Sequence, residues 1–584
     1  MAIILMGQPS ALGLLPDYVW FLLALSTLAL GVLYRLALPK PIPDIPYDKK
    51  AAKSVLGHMK DMIDFRTANG NRITPWYEQY QRKVGAPLTQ FFPGPFARPI
   101  LVLTDFWEVQ DILLRRSREF GRGPRVTKIF RFTTPEFHVA LQQEDPRYKA
   151  NKGLVRDSMS PTLLEQVSGP RIYNCASDLV ALWKFKLSAA DQQPFYAHDD
   201  IFGAISDMIL ASLFAFNSDM GTTRQQLRYL ESLDKDLPTN QKDHKGIHFP
   251  KLPPLPYYAS FELLSEHQSD QTKTPFPLLH HYLAMLFRPE LRAVYGIIKQ
   301  FEVTEIDKAL MRLKDNNTKT CTLDYMIMRE QEAATSENRE PVYHKPGICD
   351  GLSGYYLAGH ETSATSLSWA LKFLSSHADC QARLRDALHR SHATALREGR
   401  SPTMEEITGT KVAYLDAVIE ETLRHHAPLQ PTFRAANDDA VVLGCQVPKG
   451  TTILMPMTGP SLLAPGFLVP RGLRSASFPK DGGRHAWAAE DVHLFKPERW
   501  LRRDDAGEEV YDASAGPMMT FGFGPRQCFG KRLGYLQMQT VLTLLIWNLD
   551  FMSLDGVLGS YETVELATIR PKYSYVKLRE VRGN

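Results

Sequence analysis

Cys528 sits in a setting suited to a working thiolate. Residues 521–530 read FGFGPRQCFG, giving the pattern Phe521-x-x-Gly524-x-Arg526-x-Cys528-x-Gly530. A thiolate needs hydrogen-bond donors and positive potential close by. Gly524 and Gly530 carry no side chain, so backbone N–H groups can approach the sulfur. Arg526 is a fixed cation two residues away, with the fork geometry that suits a carboxylate. Phe521 can shield the sulfur from water. Apolar periodicity predicts a helix from Lys531 to about Asn548, whose positive end points at the sulfur. An iron porphyrin with a thiolate axial ligand requires this constellation. The plainer reading is a buried, inert cysteine in a glycine-rich turn.

A second group lies in a long helical stretch predicted from about Pro346 to Ala378, which contains Ala358-Gly359-His360-Glu361-Thr362-Ser363. Small residues at 358 and 359 let a helix lie close over a flat ring. The Thr362 hydroxyl can bond back to a helix carbonyl and loosen the turn. Glu361 beside it makes an acid–alcohol pair able to relay protons. His360 reads as a packing or solvent-facing position. Glu421-Thr422-Leu423-Arg424 places an acid and a base three apart on a helix, a spacing that is worth little on a surface. Phe495-Lys496-Pro497-Glu498-Arg499-Trp500 adds a further arginine.

Taken in order, these stretches resemble the signatures of the cytochrome P450 family over roughly residues 45–580. The resemblance implies the family's fold, mainly α with small β-sheets (α+β). It implies haem b bound through the Cys528 thiolate, with Phe521 and Arg526 beside the cofactor. Glu361 and Thr362 then take the catalytic positions. Glu421, Arg424 and Arg499 become a buried structural triad behind the thiolate loop. Arg434, at the end of Pro428-x-x-x-x-x-Arg434, is similar to the family arginine that binds a haem propionate. Asp145–Met159 is similar to the helix that carries W-x-x-x-R, but Tyr148 and Lys152 occupy those two positions. A tyrosine can donate where tryptophan would, and a lysine pairs with a carboxylate as a point charge.

The implied reaction inserts one oxygen atom of dioxygen into a lipophilic small molecule. Electrons come from NADPH through a separate reductase, with cytochrome b5 as a further partner. Lys531 and Arg532 would contribute to the docking face. Aromatic residues in the expected substrate segments (Phe130, Phe132, Phe137, Tyr355) fit a lipophilic substrate. The chain looks like fungal microsomal members, which implies a terpenoid or polyketide-type substrate. The alternative keeps the haem thiolate but needs no reductase: an isomerase or peroxygenase. A non-catalytic haem protein is the third reading.

The elements that must hold this site belong to a chain of 584 residues, long enough for a large core. With 68 basic and 64 acidic residues the net charge is +4, too weak for a nucleic-acid binder. Six cysteines, none within two or three residues of another, exclude a C-x-x-C motif and suit a reducing compartment. Tyr18 to Tyr34 carries no charge. Extended to Leu38, it gives about 31 Å of helix, one hydrocarbon thickness. Asp17 precedes it, and Arg35, Lys40, Lys49 and Lys50 follow. The positive-inside rule therefore places the rest of the chain in the cytosol, as in a single-pass protein of the endoplasmic reticulum. Residues 1–38 read as the anchor and 39–48, with four prolines, as a stiff extended spacer. Residues 49–584 read as the catalytic domain. Strand-like runs fall at Pro99–Thr104, Ala440–Val447 and Thr451–Met455. Residues 245–278 read as irregular, and 458–486 as a long surface insertion.

Overall fold

A computed structural model describes residues 17–581, apart from 124–126, 128–129, 217, 234–245, 275–276, 317–318 and 480–485. The first helix, α1 (Asp17–Ala37), leaves its apolar side chains exposed. By length and composition it can cross a membrane. The proline-rich stretch behind it does not stand free as a spacer. Ile42 and Ile45 are buried. Gln90 brackets the segment: its Oε1 accepts the Ile42 N–H, and its Nε2 donates to the Ile42 and Ile45 carbonyls, all at 2.8 Å.

Gln90 lies in β1 (Leu88–Phe91), which pairs antiparallel with β2 (Ile100–Leu103). Asp105 caps α2 (Phe106–Leu114) by accepting the Glu108 N–H at 2.8 Å. After β3 (Phe120–Gly121) comes α3 (Pro146–Val155), which opens on a proline where the missing N–H costs nothing. Next come α4 (Gly169–Ala189) and α5 (His198–Phe214). Fourteen of the seventeen residues of α5 are buried, so it is a core helix rather than an amphipathic one.

The stretch read as irregular contains a helix, α6 (Pro256–Lys273). Pro250, Pro253 and Pro254 precede it, and Pro256 is its first residue. The prolines that suggested a loop mark the helix entrance instead. The following α7 (Pro277–Phe287) exposes Leu278, Leu279, Tyr282, Leu283, Leu286 and Phe287. Next are α8 (Pro289–Asn316) and the 31-residue α9 (Pro346–Ser376), which crosses the core.

Helix α10 (Ala413–His425) leads to β4 (Thr432–Ala436) and β5 (Thr452–Met455). The main sheet has the order β1-β2-β5-β4-β3, with β2 and β5 parallel and the other pairs antiparallel. Between β4 and β5 the run Ala440–Val447 is a hairpin rather than one strand. Leu443 and Gly444 turn it at positive φ of 47° and 78°. The described part of 458–486 is docked on the domain: Arg474 pairs with Asp105 at 2.7 Å, and the Ser475 and Ser477 hydroxyls bond Asp111.

The chain closes with α11 (Lys531–Asn548) and β6 (Ile569–Pro571), which packs on α9. The Trp369 indole donates to the Ile569 carbonyl at 2.9 Å. The Lys372 ammonium donates to the Leu558 and Tyr573 carbonyls at 2.8 and 3.2 Å.

Within the core, Glu302 of α8 accepts a hydrogen bond from Ser353 of α9. Burial pushes its carboxyl up to about 8, against a usual 4.5. From pH 4.5 to 8 the folded chain therefore holds a proton that the unfolded chain has lost, and stability falls as pH rises through that window. Thermal unfolding in detergent should show a larger drop in Tm from pH 6 to pH 8 for wild type than for Glu302→Gln. Equal drops would show that Glu302 does not titrate in this window.

Candidate active site

The cysteine loop is fixed by its own backbone. The Cys528 N–H donates to the Phe521 carbonyl at 2.7 Å, and the Gln527 N–H to the Gly524 carbonyl at 3.0 Å. Gly524 has φ +71°, and a Cβ there would lie 2.1 Å from the Leu113 carbonyl oxygen of α2. Only glycine fits this crossing. The Cys528 side chain is open on one side and closely surrounded on the others. Burial raises its thiol above the ordinary value, while the Gly530 N–H and the Lys531 charge pull the other way. Phe521 packs on Tyr535 with centroids 5.1 Å apart. Lys531 lies over both of these rings, and Arg532 donates to the Met159 carbonyl at 3.1 Å, so both cations have partners of their own.

Beside this loop the structure gathers four cations. Arg526 donates to the His138 and Leu141 carbonyls at 3.2 and 2.6 Å, and its guanidinium stacks 3.9 Å from the Tyr148 ring centroid. The Tyr148 hydroxyl donates to the Pro525 carbonyl at 3.4 Å and accepts from Lys152 at 3.3 Å. Arg434, on β4, donates to the Phe433 carbonyl at 2.8 Å. The fourth cation, Arg122, donates to the Val139 carbonyl at 2.8 Å.

Among the described residues none of these four cations is ion-paired with a carboxylate. Burial, then Arg526 and Arg434, push Arg122 down to about 9. Burial, then Arg526, pushes Arg434 down to about 10. Burial, then Lys152, Arg122 and Arg526, push His138 down to about 3. The Nε atoms of Arg122 and Arg526 are buried without a hydrogen-bond partner. Cations brought this close in a poorly solvating interior favour an anionic occupant. A porphyrin carrying two propionates fits that requirement.

The other wall is α9. Ala358 is exposed although the residues at 351–356 and 363–375 are buried, so the helix is open at its middle. Thr362 donates back to the Ala358 carbonyl at 2.7 Å, and Ser366 to the Thr362 carbonyl at 2.9 Å. Glu361 accepts from Ser265 at 2.6 Å and from Thr568 at 2.9 Å. Glu361 and Thr362 are thus adjacent but not bonded to each other. A Cβ at Gly359 would come 2.8 Å from Ile209 Cδ1 of α5, a side-chain end that would have to shift to admit it. His360 packs, stacked on Tyr356 and bonded through Nε2 to the Phe202 carbonyl at 3.1 Å. Phe137 and Tyr355 are buried, and Phe132 stacks on His281 at 4.3 Å.

Behind the loop, Glu421 accepts five hydrogen bonds. Its Oε1 takes Arg424 Nη2 at 2.7 Å, the Lys496 N–H at 2.9 Å and Arg499 Nε at 3.0 Å. Its Oε2 takes Arg424 Nε at 2.8 Å and the Trp500 indole at 2.9 Å. Glu421 and Arg424 side chains are fully buried. Burial opposes the charge on Glu421, but the bonds and charges of Arg424 and His425 overrule it and hold the carboxyl well below its usual range.

The sequence model of the family described as Cytochrome P450 matches residues 54–461 and 486–576. A cytochrome P450 monooxygenase of Fusarium sporotrichioides is 34% identical over 96% of this chain and 98% of its own length. One of Pestalotiopsis microspora is 32% identical, covering 94% and 96%. One of Penicillium rubens is 29% identical, covering 97% and 98%. The chain belongs to the cytochrome P450 family.

This P450 is accordingly a monooxygenase, an oxidoreductase whose family uses a haem-thiolate cofactor. Arg526, Tyr148, Lys152 and Arg434 gather beside the loop that carries Phe521 and Cys528, and Glu361 and Thr362 are neighbours on α9. Lys152 approaches through the Tyr148 hydroxyl. Sequence reasoning missed Arg122. Its only local signal is a glycine on either side, which reads as a turn. It also missed Ser265 and Thr568, which follow no pattern.

The Glu421–Arg424 pair is not the weak surface pair that its spacing suggests. Removing one partner of a buried pair leaves the other charge unpaired, at a cost of about 3–5 kcal/mol. Glu421→Ala in the P450 should therefore give little folded protein, seen as a collapse of the unfolding transition. A Tm within a few degrees of wild type would show that the five bonds are dispensable.

Proposed function

We propose that this P450 holds haem b with the Cys528 sulfur on the iron, and inserts one oxygen atom of dioxygen into a lipophilic small molecule. The observation that carries this reading is the set of four cations that, among the described residues, have no carboxylate partner beside the Cys528 loop. Arg122, Arg434, Arg526 and Lys152 would meet the two propionates, with Tyr148 stacked under Arg526. The haem, when bound, supplies the activation of dioxygen and the oxidation of the C–H bond. Thr362, tied back to the Ala358 carbonyl, loosens α9 where that helix is exposed. Glu361, one residue before it, carries protons inward. Glu421, Arg424 and Arg499 hold the loop from behind.

Electrons come from NADPH through a separate reductase, with cytochrome b5 as a second donor. The α1 helix crosses the endoplasmic reticulum membrane once and leaves residues 49–584 in the cytosol. The basic residues that follow α1 support that orientation. The exposed apolar face of α7 gives the domain a further surface suited to lipid. Residues 458–486 are an insertion, a reading supported by the gap in the family match between 461 and 486. The substrate we infer is of terpenoid or polyketide type, the class that the resemblance to fungal microsomal members implies.

Reduced membranes treated with carbon monoxide should show a Soret band strongly red-shifted from that of a histidine-ligated haem, and Cys528→Ala should lose it. An unchanged band in the variant would remove the assignment of the sulfur. Arg122→Ala should retain haem about tenfold less tightly, because a charge-assisted bond to a buried partner is lost. The haem-to-protein ratio after gel filtration measures this, and a wild-type ratio would place the propionates elsewhere.

A further inference from the structure

Both carboxylate oxygens of Glu361 are taken by hydroxyls from outside α9. Ser265 of α6 donates to Oε2, and Thr568, just ahead of β6, donates to Oε1. The Thr568 hydroxyl also lies 2.9 Å from the hydroxyl of Thr365. Thr568 and Thr365 are 2% and 0% exposed, so the bond between them is shielded from bulk water, while Ser265 and Glu361 are half-buried.

Thr568 belongs to a longer seam. Glu361, Thr365, Trp369 and Lys372 recur at three- and four-residue spacing, which is one face of a helix. All four bond to the 558–573 segment. Trp369 and Lys372 reach main-chain carbonyls, so they anchor the segment without the Thr568 hydroxyl. Ser265 is placed by α6, whose Phe261 stacks on Tyr356 of α9 with centroids 4.2 Å apart and whose Tyr258 hydroxyl bonds Asp207 of α5.

Glu361 is therefore held at a junction of three elements. Its carboxylate is turned toward α6 and the C-terminal segment, while Thr362 is bonded to its own helix. The charged and titratable neighbours include His360 on α9, Glu262 one turn before Ser265 on α6, and Glu266, Arg570 and Lys251, whose charges act on Glu262. His360 is kept neutral by burial, and Glu262 repels Glu361.

We propose that Ser265 and Thr568 are positioning residues: a pair of hydroxyls that fixes where the Glu361 carboxylate lies and which way it faces. The inference rests on the proton-carrying role given to Glu361 above. The step is a proton transfer alone. The Glu361 carboxylate takes a proton from a solvent hydronium ion, and the resulting carboxyl gives that O–H proton to an oxygen on the Thr362 side and is a carboxylate again, held by the two hydroxyls. No electron moves.

The test uses the full-length, haem-loaded protein in detergent. Infrared difference spectra locate the carboxylate stretch of Glu361 by its loss in Glu361→Gln. Thr568→Val and Ser265→Ala should each shift that band, and Thr568→Ser should return it to the wild-type position. In parallel, with a reductase and NADPH, the share of electrons lost as hydrogen peroxide should rise about twofold or more in Thr568→Val and Ser265→Ala. It should not rise in Thr568→Ser. An unshifted band in both Ser265→Ala and Thr568→Val overturns the proposal. If Thr568→Val yields no carbon monoxide Soret band, Ser265→Ala decides alone, and an unshifted band there overturns it. The two readings fail separately. Wild-type peroxide release in Glu361→Gln removes the proton-carrying role of Glu361, and the proposal with it. A raised release in Glu361→Gln with unshifted bands in the hydroxyl variants removes only the positioning pair.

Discussion

A carboxylate with no access to water stays ionised only when fixed donors replace its hydration shell. Glu421 meets that condition with five donors: two from Arg424, the others from Arg499, Trp500 and the Lys496 backbone. The donors come from two stretches of chain far apart in sequence, so the carboxylate works as a joint. One side of the joint is α10. The other is the 491–500 segment, where Arg424 also donates to the Val492 carbonyl at 2.7 Å and Arg499 to the Asp491 carbonyl at 2.8 Å. The cysteine loop attaches to the same helix, because the Thr520 hydroxyl donates to the Leu423 carbonyl at 2.8 Å. The position of Cys528 thus depends on a buried ion pair about a hundred residues upstream.

The cation cluster imposes the complementary constraint. Four positive side chains gathered beside one loop repel each other, and carbonyl acceptors relieve that only in part. The backbone holds the arrangement together: Arg122 follows β3, Arg434 lies in β4, and those strands pair through Phe120–Ala436 and Gly121–Ala435. Two of the four cations are brought side by side by a strand register. Their charges face Arg526, whose position is fixed by the loop that carries Cys528. The sulfur and the cations are therefore parts of one framework.

Much of this was legible in the sequence where the signal is local. The helix at 531–548 and the limits of α9 follow from apolar periodicity, and the strands at 100–103 and 452–455 from short β-branched runs. Cys528, Glu361 and Arg499 stand in dense motifs. What escaped was set by partners distant in the chain. Arg122 gains its meaning only from the pairing of β3 with β4. Ser265 and Thr568 are ordinary hydroxyls until folding brings them onto Glu361. The spacing of Glu421 and Arg424 says nothing about burial, and burial makes the pair strong. The α6 helix was hidden because prolines bounding a helix look, one by one, like prolines in a loop.

The docking of residues 39–48 on Gln90 has a mechanical consequence. Ala37, the last residue of α1, is already buried against the domain, and Ile42 and Ile45 follow it into the core. The link between the helix and the domain therefore has no slack. With α1 in a bilayer, the domain cannot roam on a tether, and its tilt toward the lipid is set by the same three hydrogen bonds that hold the segment. Encounters with another protein anchored in the same bilayer then become a search within a plane, in which orientation is already partly matched and only lateral drift remains.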